Sequence, residues 1–530
     1  MDEPNELGVE IASQGFRYFM FSMVCLVVSG VGAILVARLL GPSNYGLYKL
    51  SLTIPLLLSG LTGLGVDSGV IKYVSHYLAK KNYDVIKKIF YSTFTFKFIV
   101  SLVVAFITYY LSDLVSSSIL NRPELSTYIK VLSVVILIQA LYYLVNNFLY
   151  GFGYAGLSSL LGLFNSIVKF PLAIFLIILG FGVMGVVTGY IAGILVSTIL
   201  GLIYIVKLLH KQKYIDSNGI DLNIKNILRM ILSYGFVIYL AVFLSLLSSQ
   251  YINLVLAWFA SDAEIGGYNV SNDLCSIISL FLSTIPVILF PSFSMIEAAD
   301  STLLPQAFDK AVKCSLLFVT PVAVFTSIFS KSIISIIYGW KYLFASSYLS
   351  ILAITYIIQP IFFVIISYFN GVGLNKNTLK TYILYFIVLL VLAPTLTLYM
   401  HVVGTILSIL AAILVSVIYG LRKCSILNLP VNYQYILRFY LAIAIPGIIC
   451  LTINNLFLTY LPHIFSLLIG LIIYIATLLP VLAILNVPSN DDLEFIWRYF
   501  KNIRLISLIL NLTIKLIKGI RRTRLVKEVF

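Results

Sequence analysis

Runs of about 20 apolar residues, each long enough to cross a hydrocarbon core of roughly 30 Å, follow one another along this chain with short polar breaks. The runs are continuous and do not alternate with a period of two, so the spanning element is the helix and not the strand of a barrel. The apolar class supplies 61% of the 530 residues and charged residues 10%, which excludes a soluble domain as the body of the protein. The expected fold is an all-α polytopic membrane protein. About fourteen spans are read at 16–37, 47–67, 89–111, 126–149, 157–180, 184–207, 232–258, 266–292, 312–336, 347–370, 377–400, 402–421, 436–458 and 463–485. The first follows an acidic lead-in, Asp2, Glu3, Glu6 and Glu10, with no basic start and no small-residue cleavage site. It is expected to be a retained helix.

Lys and Arg fall unevenly among the breaks. Breaks after even-numbered spans carry Lys72, Lys80, Lys81, Lys87 and Lys88, then Lys207, Lys211, Lys213, Lys225 and Arg229, and later Lys310, Lys313, Lys376, Lys380, Arg422 and Lys423. Breaks after odd-numbered spans hold Arg38, Lys49, Arg122, Lys130, Lys331 and Lys341. The positive-inside rule therefore places both termini in the cytoplasm of a multi-pass cell-membrane protein. The net charge of +15 sits beside membrane spans, where topology and anionic membrane lipids account for it and nucleic acid is not called for. The five cysteines are scattered without C-x-x-C spacing, so neither a disulfide framework nor a metal site is read.

The stretch AILVARLLGPSNYGLYKLS, Ala33 to Ser51, recurs in diverged form at an offset of roughly 220 residues, with Gly46 on Gly266, Tyr48 on Tyr268 and Ser51 on Ser271. LYGFGYAG, around Gly151 and Gly153, meets FNGVGLNK around Gly371 and Gly373, and GVVTGYIAGIL from Gly185 meets GTILSILAAIL from Gly404. Each copy holds six spans, an even number, so the copies share one orientation and form a parallel repeat. The expected domains are an N-lobe at 1–212, a cytoplasmic linker at 213–231, a C-lobe at 232–424, two appended spans at 425–485 and a basic amphipathic cytoplasmic tail at 486–530. In the tail Arg498, Lys501, Arg504, Lys515 and Lys518 alternate with Ile and Leu, the pattern of a helix lying on the inner leaflet.

A charge at mid-bilayer costs roughly 2.5 to 3.5 kcal/mol on insertion scales, so such residues face a cavity or a partner. Lys169 is the deepest, followed by Phe170 and a kinking Pro171; Lys97 lies inside the third span and Asp273 inside the eighth. Arg17, Arg38, Lys49 and Asp67 lie near span ends, within reach of the interface. The cations within spans cluster in the first copy, whereas the second offers Asp273 and amides such as Gln250, Asn253 and Asn269. That asymmetry points to a cavity wall able to hold an anion. No phosphate-binding loop of an ATPase is present, His76, His210, His401 and His463 are dispersed, and Asp262-Ala263-Glu264 reads as a solvated turn before a metal-binding carboxylate pair.

The ARLLGPSNYGLYKLS stretch, together with Gly63 to Asp67 and the LYGFGYAG turn, resembles the oligosaccharide flippases of the multidrug/oligosaccharidyl-lipid/polysaccharide exporter superfamily. The resemblance implies two six-helix lobes working by alternating access on a polyprenyl-pyrophosphate-linked oligosaccharide. Lys169 and Lys97 are then the expected anion-holding residues, with Arg17, Arg38 and Lys49 nearer the cavity mouths, and Asp67 and Asp273 in charge pairing or ion coupling. Arg38 meets Trp258 in the second copy, which sets its role apart from any shared one. No catalytic residue or cofactor is expected; coupling to a Na+ gradient, an H+ gradient or the membrane potential stays open. A monomer is favoured, with glycan-assembly enzymes as candidate partners. The rival readings are a multidrug exporter built alike and a membrane glycan polymerase or glycosyltransferase, which needs an acidic outer surface that the short outer breaks lack.

Overall fold

A computed structural model of the chain describes residues 3–211, 224–427, 429, 432–456, 461–489 and 515. Residues 213–223 of the expected linker and nearly all of the expected tail beyond 489 lie outside them. The described residues are helical, in the order α1 (Glu3–Leu61), α2 (Val66–Ala79), α3 (Tyr83–Tyr110), the short α4 (Ser112–Leu114), α5 (Ser126–Gly151), α6 (Ala155–Ile178), α7 (Gly182–Lys211) and α8 (Ile224–Phe259). There follow α9 (Asp262–Asp300), α10 (Leu304–Ile328), the short α11 (Ser330–Ile337), α12 (Ala345–Gly371), α13 (Asn375–Ile426), α14 (Tyr433–Leu456) and α15 (His463–Ile484). No strand occurs among the described residues.

Eleven helical segments among the described residues are long and apolar enough to cross a membrane. Two of them, Met20–Leu61 and Asn375–Ile426, each carry two of the expected spans, and α9 carries the span expected at 266–292. The doubled helices break in the middle, at Gly41 (φ 75°, ψ 172°) before Pro42 and at His401 (φ 48°, ψ −135°). Two differences in boundary from the reading of the sequence bear on the site. The second span ends at Leu61 and not at 67, because Leu64 and Gly65 take positive φ and turn the chain into α2. Asp67 thus lies in the first turn of α2 and not at the end of a span. Helix α8 starts at Ile224 and not at 232, because Ile227 and Ile231 are buried against Val66, Val70 and Val74 of α2 in one apolar core.

The repeat is visible in backbone geometry. At the end of α5, Phe152 N–H donates to Phe148 O, Gly153 N–H to Tyr150 O and Tyr154 N–H to Leu149 O. At the end of α12, Val372, Gly373 and Leu374 donate in the same order to Tyr368, Asn370 and Phe369. Gly153 (φ 80°) and Gly373 (φ 74°) hold the left-handed position of this turn, which a glycine adopts without strain. In the next hairpin a Cβ on Gly185 would lie 2.9 Å from the Leu176 side chain, and one on Gly404 would lie 2.0 Å from Leu396 O. The same helix crossing recurs in both copies.

Two compact units emerge, Met1–Asn269 and Val270–Phe530. In the first, α6 packs broadly on α7 and on α1. The α1 face is a hydroxyl ladder, Ser22 to Ser159 at 2.9 Å and Ser29 to Ser166 at 2.7 Å, the small polar residues that let membrane helices approach closely. In the second unit, Phe293 and Phe308 meet the Tyr368 ring edge to face at 5.5 and 5.6 Å, and α14 and α15 pack on α10 and α11.

Candidate functional site

Helix α5 carries Gln139, Tyr143 and Asn147 at i, i+4 and i+8, which places them on one face. With a rise of 1.5 Å per residue they form a polar stripe about 12 Å long on the first unit, buried at Gln139 and exposed at Tyr143. A cation stands at each end of it.

At the Asn147 end, Lys97 of α3 donates from Nζ to Asp67 Oδ1 at 2.5 Å, and Asn147 Nδ2 donates to the same oxygen at 2.6 Å. Lys97 is 1% exposed and Asp67 34%, so the lysine is enclosed while its counter-ion keeps an open flank. Asp67 stands in the first turn of α2, where the free N–H groups and the helix dipole favour a carboxylate. The hydroxyls of Tyr143 and Tyr239 lie within electrostatic range of it. Tyr239 donates to Leu61 O at 3.3 Å and so ties α8 to the end of α1.

At the Gln139 end, the Lys169 ammonium lies 4.5 Å from the centre of the Tyr190 ring and 4.8 Å from that of Phe170, both within cation–π range. Tyr190 Oη donates to Gln139 Oε1 at 3.4 Å, joining the aromatic wall to the stripe. The depth of Lys169 is set by glycine. A Cβ on Gly189 would lie 2.6 Å from Lys169 O, and one on Gly193 would lie 2.7 Å from Lys169 Cβ, so α7 presses its backbone against α6 at this level. One turn before Lys169, the buried Asn165 Oδ1 has no hydrogen-bond partner among the described residues. The arrangement provides a partly enclosed ammonium next to an open acceptor.

The structure thus brings Lys97 and Asp67 together and places Lys169 along the same stripe. Arg38 is exposed one turn before the Gly41 bend, and Lys49 follows the bend with its ammonium 5.3 Å from the Tyr45 ring. Arg17 lies on α1, its side chain outside the described ones. Asp273 belongs to α9 in the second unit, within electrostatic range of the Tyr338 and Tyr342 hydroxyls. Gln139, Tyr143, Asn147, Asn165 and Tyr190 were not singled out from the sequence; the four-residue spacing of polar groups in an apolar span was the available signal. Among the described residues no three His, Cys, Asp or Glu side chains gather to hold a metal ion. The acidic turn at Asp262 has structural uses. Glu264 accepts from Ser261 N–H at 2.8 Å in a capping box, and Asp262 accepts from Arg122 at 2.8 Å.

The family model of the polysaccharide biosynthesis proteins matches residues 35–347, a stretch that includes the whole stripe and both of its cations. The chain belongs to the polysaccharide biosynthesis protein family. An uncharacterized membrane protein of Methanocaldococcus jannaschii is 24% identical over 386 residues, covering 69% of this chain and 73% of that protein. Among solved structures, the lipid II flippase MurJ in an inward closed conformation has a TM-score of 0.69 at 17% identity, over 87% of this chain and 97% of that one. An inward-facing multidrug resistance MATE family transporter of the MOP superfamily has a TM-score of 0.64 at 16% identity, over 78% of this chain and 98% of that one. At these identities the likeness is one of fold, and it assigns this member of the family to the polytopic membrane fold of MurJ and the MATE transporters.

Proposed function

We propose that this protein is a flippase that carries a polyprenyl-pyrophosphate-linked oligosaccharide from the cytoplasmic to the outer leaflet of the cell membrane by alternating access, and that it is not an enzyme. The carrying observation is the Lys169 site: an ammonium inside a membrane span, walled by two aromatic rings and one helical turn from an unpartnered amide oxygen. The positive charge of the lysine attracts a pyrophosphate, and a sugar hydroxyl offers a donor to Asn165. Membership of a polysaccharide biosynthesis family and the fold shared with a lipid II flippase support this reading. Lys97 is a second anion site that becomes available when Asp67 lets go of it, and Asp67 and Asp273 are the acids for coupling to an ion gradient. Export of organic cations is the alternative, favoured by the MATE-like fold and disfavoured by lysines at both ends of the stripe.

The test is the sidedness of lipid-linked glycans in cells lacking the gene. Complete glycan-lipid should accumulate on the cytoplasmic leaflet, and the intact gene should restore its export. Lys169→Met should reach the membrane yet lower export by about tenfold or more, the loss expected for one charge-assisted contact to a phosphate. Unchanged sidedness in the deletion, or normal export by Lys169→Met, would overturn the proposal.

A further inference from the structure

On the lysine-poor face of the first unit, α1 just past its bend crosses the start of α9 with no side chain between the two backbones. A Cβ on Gly46 would lie 2.0 Å from Asp262 O, and a Cβ on Gly266 would lie 2.0 Å from Pro42 O. Gly46 and Gly266, and likewise Pro42 and Asp262, are partners in the repeat. The contact therefore maps onto itself when the two copies are exchanged, as a contact in a symmetric dimer does. Backbones that meet through glycine alone do not interlock, so they can part without any side chain changing rotamer.

A second set of bonds, absent from the repeat, holds the crossing shut. Arg122, in the break between α4 and α5, donates from Nε to Asp262 Oδ1 at 2.8 Å and from Nη2 to Ala260 O at 2.9 Å. Trp258 Nε1 donates to Ile119 O at 2.8 Å. The break itself is braced, because Asp113 accepts from Ser126 and from Lys130, the latter at 2.9 Å. These hydrogen bonds, that from Ser126 first, hold the Asp113 carboxyl below the usual carboxylate range and keep it charged. The repeat puts Tyr342 at the position of Arg122 and Pro42 at that of Asp262, so the arginine–carboxylate half of this latch has no counterpart in the other copy.

We propose that the Gly46–Gly266 crossing is the seal of a transport pathway on the lysine-poor face, and that Arg122 and Trp258 form the latch that must release before substrate leaves. The proposal rests on the transporter reading above, but its first test does not use substrate. In a chain whose five native cysteines are replaced by serine, Asn253→Cys on α8 reports exposure to a membrane-impermeant thiol reagent added outside. Arg122→Gln, Asp262→Asn and Gly266→Ala should each raise its labelling rate about tenfold, the effect of losing one charge-assisted hydrogen bond or the close crossing. Arg122→Gln leaves every backbone contact in place and carries the test if Gly266→Ala fails to accumulate. Unchanged labelling in variants that reach wild-type levels would overturn the seal.

A second test joins Arg122→Cys to Asp262→Cys with a reducible bifunctional thiosulfonate. Export of glycan-lipid should stop and return on reduction; continued export with the ends joined would overturn the latch. Labelling that responds in a chain that moves no glycan-lipid would uphold the seal and discard the flippase reading.

Discussion

Lys97 depends on one oxygen of Asp67. Asp67→Asn would leave an ammonium at 1% exposure without its counter-ion, and breaking such a buried pair costs about 3 kcal/mol or more. The expected outcome is a clear fall in the melting temperature of the purified protein in detergent. In Asp67→Asn/Lys97→Met the unpaired charge is gone, so more than half of that loss should return, while export stays impaired because the second cation is missing. Additive losses of stability in this double-mutant cycle would show that the two side chains do not act as a pair. Lys97 and Lys169 were legible in the sequence because a cation inside an apolar run is expensive. The identity of the counter-ion was not, since Asp67 reaches Lys97 only after the chain turns at Leu64 and Gly65. Gln139, Tyr143 and Asn147 passed unread for the opposite reason: an amide or a phenol costs little in a membrane helix, and only their common face marks them.

The packing of α6 on α7 depends on Gly185, Gly189 and Gly193, spaced four apart so that one edge of α7 has no side chains. Gly193→Leu would drive its side chain into Asn165 O, 2.6 Å from the ideal Cβ, and into Lys169 Cβ. The helices would have to separate at the level of Lys169, at a cost of about 2 kcal/mol or more. Gly30→Ala is the control, because nothing lies within 4 Å of its Cβ and alanine favours a helix. The melting temperature should drop for the first and hold or rise for the second; equal behaviour would show that α7 does not set the position of Lys169. At this scale the repeat was readable from glycine spacing, and even its turn bonds recur in order. The breaks were less readable. His401 sits at φ 48° in the hairpin where the first copy has Gly182 at φ 52°, and nothing in a histidine announces a left-handed backbone.

Across the whole molecule, the uneven placement of Lys and Arg leads to the prediction that the face bearing Arg122 and Asp262 is the outer one. Ser117→Cys, exposed in the break after α4, should be labelled by an impermeant thiol reagent in intact cells, and Lys80→Cys only after lysis. The reverse pattern would turn the molecule over and move the proposed seal to the cytoplasmic side. The expected repeat and its helices extend through the described residues, whereas the pairing of charges within the first unit depended on distances that no residue pattern carries. Those distances also bear on how the chain is made. Asp67 precedes Lys97 and Asn147 follows it, so when the lysine-bearing helix leaves the ribosome its counter-ion is already synthesised and the amide that completes the cluster is still to come. The lysine can enter the bilayer as half of a neutral pair, and its insertion is settled once α5 arrives. The order of the sequence thus acts as an assembly schedule for a charge that the finished protein keeps out of sight.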